Sequence, residues 1–439
     1  MATQRSNFTR RQFLAGAGGA GAAGLAAGGL GGFFGGRASK SGGGGKGGGG
    51  GGTITVGAGV PVTGAFAGDG QEMLRGLKLG AAEINANGGL GGRQLELSVL
   101  DAKEQQADVM ASVMRKFVSD GVAAIFSPFT TYQSSEFDVV GQAGMPMFHV
   151  NTYQGNLDYV KQKGYTNIYE GCPSQIWYGP GFVSIVNDVI ASGAWTPAAK
   201  STAIVTSNDP YSLTIAQEFQ KGMEAQGWKT LVFEKFTIPQ ADWGPVLLKI
   251  RQEPPGIIFF SDYTASDEAS FMKQWQQAPT KSLVYQQYAP SVPEYLELAG
   301  KAGDGVIWST VIGGIFDDEI GQRFVNAYQA KHNQAPGLSN AGAQYDLIRF
   351  WAQAAAMAGD PYDFAQVNQN LQTMVFRGVS GAFKFQPGEL APYPYPEKIP
   401  DPSIGMPHLT FQIQSGKQVL ISPAPYAKGE FQLPDWLKS

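Results

Sequence analysis

A chain of 439 residues exceeds one ordinary domain, and its 43% hydrophobic and 12% aromatic content is ample for buried cores. The net charge of −4 hides an asymmetry: residues 1–52 hold six of the 32 basic residues and no acid, so the body carries 26 basic against 36 acidic residues. That body lacks the basic footprint nucleic-acid binding needs; the lone Cys172 excludes an intramolecular disulfide, and three scattered histidines have no zinc spacing.

The amino terminus reads as an address. Thr9-Arg10-Arg11-Gln12-Phe13-Leu14 resembles the twin-arginine export motif, and the weakly apolar stretch Ala15–Phe34 starts at once behind it. Residues 1–38 are therefore expected to be a signal peptide, with Gly36 and Ala38 as the small residues near the cleavage point. The stretch is too glycine-rich for a good permanent span, although an uncleaved signal would still tether the chain. No cysteine is present for a lipoprotein anchor. Residues 39–52 form a glycine-rich linker in which 41–52 are glycine apart from Ser41 and Lys46, and that run predicts a flexible spacer of roughly 20 Å. Gly16, Gly18 and Gly21 fit the dinucleotide-binding glycine pattern, but no strand precedes them. No haem, iron–sulfur, flavin or molybdenum-type motif follows, so no cofactor is expected.

From residue 53 onward, short apolar runs alternate with longer helical patterns, the signature of parallel strands joined by crossover helices, and the fold class is α/β. TITVGAGVPVTG predicts a strand ending in a glycine- and proline-rich bend, so Pro61–Gly70 is expected to line a crevice at a strand end. A helix through GLKLGAAEINANGG follows, and then the run VLDAKEQQ. The strand Val122–Phe126 ends in Ser127-Pro128-Phe129-Thr130-Thr131-Tyr132, with a helix expected from about Gln133. The strand Pro146–Val150 ends in Asn151-Thr152-Tyr153. After IYEGCPS and a helix over 176–192, a second series has strands TAIVTS, TLVFEKFTI, GIIFFSDY and SLVYQQYA, with helices over 212–227, 244–252 and 265–277. GVIWSTVI, helices over 317–332 and 341–358, and the segments 378–384 and 408–422 complete the pattern. The proline-rich stretch 386–407 could pack beside the hinge or contact a partner, but reads first as an ordered surface loop. A tail, residues 426–439, contains Pro434 and Trp436 and is expected to dock on the body.

PVTG, AAEINANGG and the SPFTT stretch resemble the type I periplasmic solute-binding proteins of the branched-chain amino acid, amide and urea receptor family, over about residues 53–425. The resemblance implies two Rossmann-like lobes with parallel central sheets joined by a three-segment hinge. The first lobe would be residues 53–171 with 311–384, the second 172–310 with 385–425. The stretch between Gln386 and Pro407 departs from the family pattern.

The same resemblance carries site residues. Thr130 falls where the family's serine holds a ligand carboxylate, with Thr131 beside it; a helix start favours an anion there, although Thr131 could simply cap the helix. Asn151 and Tyr153 fall at a second set of contacts. Tyr211 and Tyr263 match the tyrosines that the second lobe supplies, which offer an apolar face and a hydroxyl. Asp69 either pairs with a ligand ammonium or caps a helix. Where amino acid receptors carry an acid, this chain has Gln287-Tyr288, which leaves Asp69 or Asp262 to balance an ammonium. Tyr132, Tyr153, Tyr288 and Trp177 could instead stack on an aromatic acid or enclose a small amide.

The expected function is an extracytoplasmic, non-catalytic receptor, acting as a monomer, that closes over a small polar solute and hands it to ABC permease subunits. A branched-chain or related amino acid heads the ligand candidates, ahead of short amides, urea and aromatic carboxylates. A sensing module for a signalling partner is the other binding class. No nucleophile elbow, metal triad or cofactor fingerprint supports an enzyme.

Overall fold

The computed structural model describes residues 52–438 except Ala65, Glu104 and Gln105. The export signal and nearly all of the glycine spacer lie outside the described residues. The first series runs β1 (Ile54–Val60), α1 (Ala67–Ala86), β2 (Leu95–Asp101), α2 (Ala107–Asp120), β3 (Ile125–Phe126), α3 (Glu136–Ala143), β4 (Met147–His149), α4 (Gln154–Lys163) and β5 (Ile168–Glu170). Its strands form one parallel sheet in the order β2-β1-β3-β4-β5. The order reverses at β1, so β1 and β3 open a crevice at their carboxyl ends.

The second series runs α5 (Tyr178–Ala191), β6 (Ser201–Ser207), α6 (Pro210–Glu224), β7 (Lys229–Phe236), α7 (Gly244–Gln252), β8 (Ile257–Ser261), α8 (Ala265–Trp275), β9 (Leu283–Gln286), α9 (Pro293–Ala299) and β10 (Ile307–Thr310). Then come α10 (Glu319–His332), α11 (Asn340–Ala358), α12 (Phe364–Thr373), the hairpin β11 (Phe376–Gly378) and β12 (Gly381–Phe383), the short pair β13 (Pro394–Tyr395) and β14 (Met406–Pro407), β15 (Leu409–Gln414), β16 (Lys417–Ser422) and α13 (Asp435–Lys438). The second sheet has seven strands in the order β16-β15-β10-β9-β8-β6-β7, with β15 and β16 antiparallel at one edge. The chain thus leaves the first sheet after β5, returns toward it after β10, and crosses again after β12.

Two long-range contacts complete the lobes. In α1 the apolar residues Met73, Leu77, Ala81 and Ile84 recur at helical spacing and are buried. Beside them Gly76 and Gly80 face α11, where a Cβ on Gly76 would lie 2.1 Å from the Ala341 carbonyl oxygen and one on Gly80 2.5 Å from Ile348 Cγ2. Backbone therefore meets backbone, and an element more than 250 residues downstream belongs to the first lobe. At the other end, Trp436 is buried, donates from Nε1 to the Ser282 carbonyl at 2.9 Å and meets Trp275 edge-on at 5.1 Å. The tail closes the second lobe's core.

Three details differ from the expectations. The run 122–126 is ladder-bonded only in part by strand geometry, although Ala123 N–H still reaches the Thr55 carbonyl at 2.8 Å. The helix expected from Gln133 starts at Glu136, because Ser134 takes a positive φ of 56° and turns the chain. The proline-rich stretch is no surface loop: Ala391, Tyr395 and Met406 are buried, and Glu170 N–H donates to the Leu390 carbonyl at 2.8 Å. It packs beside the crossings instead. No helix among the described residues is long and apolar enough to cross a membrane.

Candidate functional site

The strand ends of the two sheets converge on an interlobe cleft. From the second lobe, β6 runs into Asp209-Pro210, whose geometry is a helix cap: Asp209 Oδ1 accepts from Ser212 N–H at 3.0 Å and proline fills the first helical turn. Ser207 Oγ donates to Asp209 Oδ2 at 2.6 Å. From the first lobe, Tyr132 Oη donates to the same Asp209 Oδ1 at 3.2 Å. Tyr132 meets Tyr153 edge-on with centroids 5.0 Å apart, and Tyr211 meets Tyr263 in the same manner at 6.1 Å. Tyr211, partly buried, accepts from Gln287 Nε2 at 2.7 Å. Four aromatic rings, two from each lobe, and the Asp209 carboxylate thus line one cleft.

Acid and amide groups flank it. Asp262 follows β8, is fully buried, and accepts from Thr264 Oγ1 at 2.6 Å through Oδ2, while its Oδ1 has no partner. Burial pushes its carboxyl up to about 7. Asp69 sits in the first turn of α1 without capping it and accepts from Asn340 Nδ2 at 2.7 Å. Burial first, then the neighbouring Glu72, pushes Asp69 up to about 6. Tyr288, next to Gln287, is held at a φ of 67°, and its hydroxyl, Gln287 Oε1 and Asn340 Oδ1 are buried without partners. Buried polar atoms without partners are what a polar solute would satisfy.

The two threonines are differently placed. Thr131 donates from its N–H and its hydroxyl to the two carboxylate oxygens of Glu136, at 2.6 and 2.8 Å. A side chain of the protein itself therefore takes the anion position expected beside Thr131, and burial pushes Glu136 upward against these hydrogen bonds. Thr130 Oγ1 donates to Asn156 Oδ1 at 3.0 Å and accepts from Asn151 Nδ2 at 2.9 Å. Thr130, Asn151 and Asn156 form one network, with Asn156 Nδ2 closing onto Ser134 Oγ at 2.7 Å. The structure thus brings Tyr153, Tyr211, Tyr263 and Gln287 together in the cleft, joins Asp69 to it through Asn340 and the Tyr288 side, and leaves Thr130, Thr131 and Asn151 bonded within the first lobe. Trp177 lies elsewhere, in a cavity along α5.

Asp209, Asn340 and Asn156 are the members that sequence reading passes over. Asp209 carries a signal, since an Asp-Pro pair directly after a strand is a cap signature. Asn340 carries none, being 271 residues from Asp69.

A model of the periplasmic binding protein family matches residues 53–390. A solved structure described as a putative branched-chain amino acid ABC transporter from Silicibacter pomeroyi is 33% identical, with a TM-score of 0.83 over 88% of this chain and all of that one. Leu/Ile/Val-binding protein homolog 1 of Brucella abortus is 24% identical over 79% of this chain and 86% of its own length. With homolog 2 of the same organism the identity is 27%, but the chain spans only about half of that relative, 53% of its length. LivJ of Streptococcus pneumoniae, solved in complex with isoleucine, shares the fold with a TM-score of 0.68 at 21% identity. Paired parallel sheets, three crossings and a cleft at the strand ends agree with these likenesses, and the chain belongs to the periplasmic binding protein family, as a type I substrate-binding protein of the ABC-transporter class.

Proposed function

We propose that this chain captures a branched-chain or related amino acid between its lobes, residues 53–171 with 311–384 and 172–310 with 385–425, and delivers it to ABC permease subunits. The observation that carries the reading is the cleft itself, where Tyr132 of the first lobe reaches Asp209 of the second and Asp262 Oδ1 and Gln287 Oε1 stand unpartnered. A ligand ammonium suits Asp262 or Asp69, and the hydroxyls and amides of Asn151, Tyr153, Tyr211 and Tyr263 suit the rest of a small zwitterion. Thr130 and Thr131 act in this reading by holding the cleft wall, and Thr130 would turn toward a ligand carboxylate if Asn151 moves. Closure follows when a ligand touching both lobes favours the closed arrangement over the open one. A micromolar affinity needs about −8 kcal/mol, within reach of a few buried polar contacts. The receptor is monomeric, non-catalytic and free of cofactors, and it is exported by the twin-arginine route suited to its first residues.

The four tyrosines favour a second reading, an aromatic carboxylate or a short amide stacked between rings. Calorimetric titration of the full chain with leucine, isoleucine, valine, benzoate, acetamide and urea separates the two. Saturable binding of an aliphatic amino acid, lost in Tyr211→Ala, supports the first. Binding of benzoate or acetamide alone replaces it with the second, and turnover of any solute without saturable capture overturns both.

A further inference from the structure

Three stretches of chain pass between the lobes, and on each one the hydrogen bonding changes sides at a particular residue. On the first, Gln175 N–H still donates to the Thr152 carbonyl of the first lobe at 2.7 Å, and Tyr178 then opens α5. On the second, Thr310 makes the last pair of β10 with Leu409, and Gly314 and Ile315 N–H donate to the Leu338 and Val379 carbonyls of the first lobe, both at 2.8 Å. Val311 lies between those two sets of bonds. On the third, His408 N–H donates to the Tyr395 carbonyl at 2.8 Å, and the next residue begins β15.

The three junction residues touch one another. Tyr178 Oη accepts from Val311 N–H at 3.2 Å, and the Tyr178 ring meets the His408 ring edge-on with centroids 5.2 Å apart. Tyr178 is fully buried. Past Thr310 the second stretch is held by hydroxyls instead of a ladder: Val311 N–H by Tyr178, and Ile312 N–H by Thr310 Oγ1 at 3.1 Å. A hydroxyl oxygen has two lone pairs and accepts over a range of directions, so a segment held in this way turns without breaking a sheet. Burial pushes the Tyr178 hydroxyl up to about 12, and the groups that oppose the rise are Val311 N–H and the hydroxyls of Thr310 and Tyr211. A tyrosine of the cleft therefore bears on the same oxygen.

We propose that Tyr178 is the pin of the hinge, a positioning residue that makes the three stretches turn as one and holds the lobes in the closed arrangement. The proposal rests on the closure of the lobes that solute capture requires. Hinges work through a few element-terminal residues that absorb the backbone change, and Tyr178, Val311 and His408 all stand at element ends. With all three joined at one ring, a rotation that opens the cleft must pull Val311 N–H from the Tyr178 hydroxyl or carry it along. Solute contact at Tyr211 acts on that hydroxyl as well as on the cleft wall.

The test measures interlobe distances in the full chain without ligand, by electron spin resonance between nitroxides at Lys116→Cys on α2 and Lys221→Cys on α6, both exposed. The native Cys172 is buried and stays unlabelled. Tyr178→Phe keeps the ring against His408 and removes the hydroxyl. The ratio of short to long distances is expected to fall by roughly two- to tenfold, the worth of one hydrogen bond. Tyr285→Phe is the control, since it removes a buried hydroxyl that bonds only Ser309, at 2.7 Å within the second lobe, and it should leave the ratio unchanged. Thr310→Val frees Ile312 N–H without touching the Tyr178 ring and should shift the ratio the same way, which decides the matter if Tyr178→Phe fails to fold. A wild type without the short population, a ratio unmoved in Tyr178→Phe, or an equal shift in Tyr285→Phe would each overturn the pin. Tyr132→Phe separates this failure from that of closure itself: a shift there with none in Tyr178→Phe removes the pin and keeps the closing lobes, and no shift in either removes both.

Discussion

Tyr132 Oη and Asp209 Oδ1, 77 residues apart and carried by opposite lobes, meet at 3.2 Å. The same oxygen caps α6, so this one carboxylate both fixes the second lobe's helix and holds the first lobe in reach.

Tyr132→Phe keeps the ring and removes the link. The hydroxyl is partly solvated, since the residue is 41% exposed, so the loss is that of an ordinary hydrogen bond, about 0.5–1.5 kcal/mol. Solute binding should weaken by roughly two- to tenfold, and small-angle scattering of the unliganded variant should show a larger radius of gyration. An unchanged radius and affinity would mean that the bond does not hold the lobes together.

Asp262 makes stability depend on pH. Burial lifts its carboxyl from the ordinary 3.8 to about 7 in the folded state, so between those values the folded chain holds a proton that the unfolded chain has lost. Stability from this group is therefore full below about pH 4 and declines as pH rises through about 7. Three units correspond to an upper bound on the order of 4 kcal/mol. Asp262→Asn should melt higher than wild type at pH 8 and equally at pH 4. An ammonium ligand seated beside Asp262 should release protons on binding at pH 6.5, read as a dependence of the calorimetric heat on buffer ionisation enthalpy.

Gly76→Ala tests the α1–α11 crossing. The added methyl would fall on the Ala341 carbonyl, where only a shift of the backbone makes room. A cost of about 1–3 kcal/mol is expected, seen as a lower urea midpoint for the first lobe, with the second lobe's transition unmoved.

Trp436→Ala tests the docked tail. It leaves a cavity against Trp275 and strands the Ser282 carbonyl. About 3–5 kcal/mol should be lost from the second lobe, and limited proteolysis should then remove residues after Pro423. Resistance equal to that of the wild type would show that the tail adds nothing to the core.

The alternation of apolar runs with helical stretches made both sheets legible, because buried parallel strands such as Ile257–Ser261 read as continuous apolar segments. The helix α12 was not legible: Val367 and Leu371 are its only fully buried apolar side chains, and the rest of its fully buried face is asparagine. The tyrosines of the cleft were marked by their places at strand ends. The partner of Thr131 was not, since nothing local says that Glu136 folds back onto the turn rather than facing solvent. The proline-rich stretch misled for a related reason, as proline and polar content describe a backbone conformation and say nothing of what lies above it.

The pairing of α1 with α11 also fixes an order of events. The first lobe's core stays incomplete until residues past 358 have been synthesised, because the helix that packs on Gly76 and Gly80 of α1 is made more than 250 residues after them. Such long sequence separation slows folding, since the loop between the partners must close before their contacts reward it. A growing chain holds an unfinished lobe while the other lobe's strands emerge, and a truncated gene product ending before Asn340 has no way to finish it.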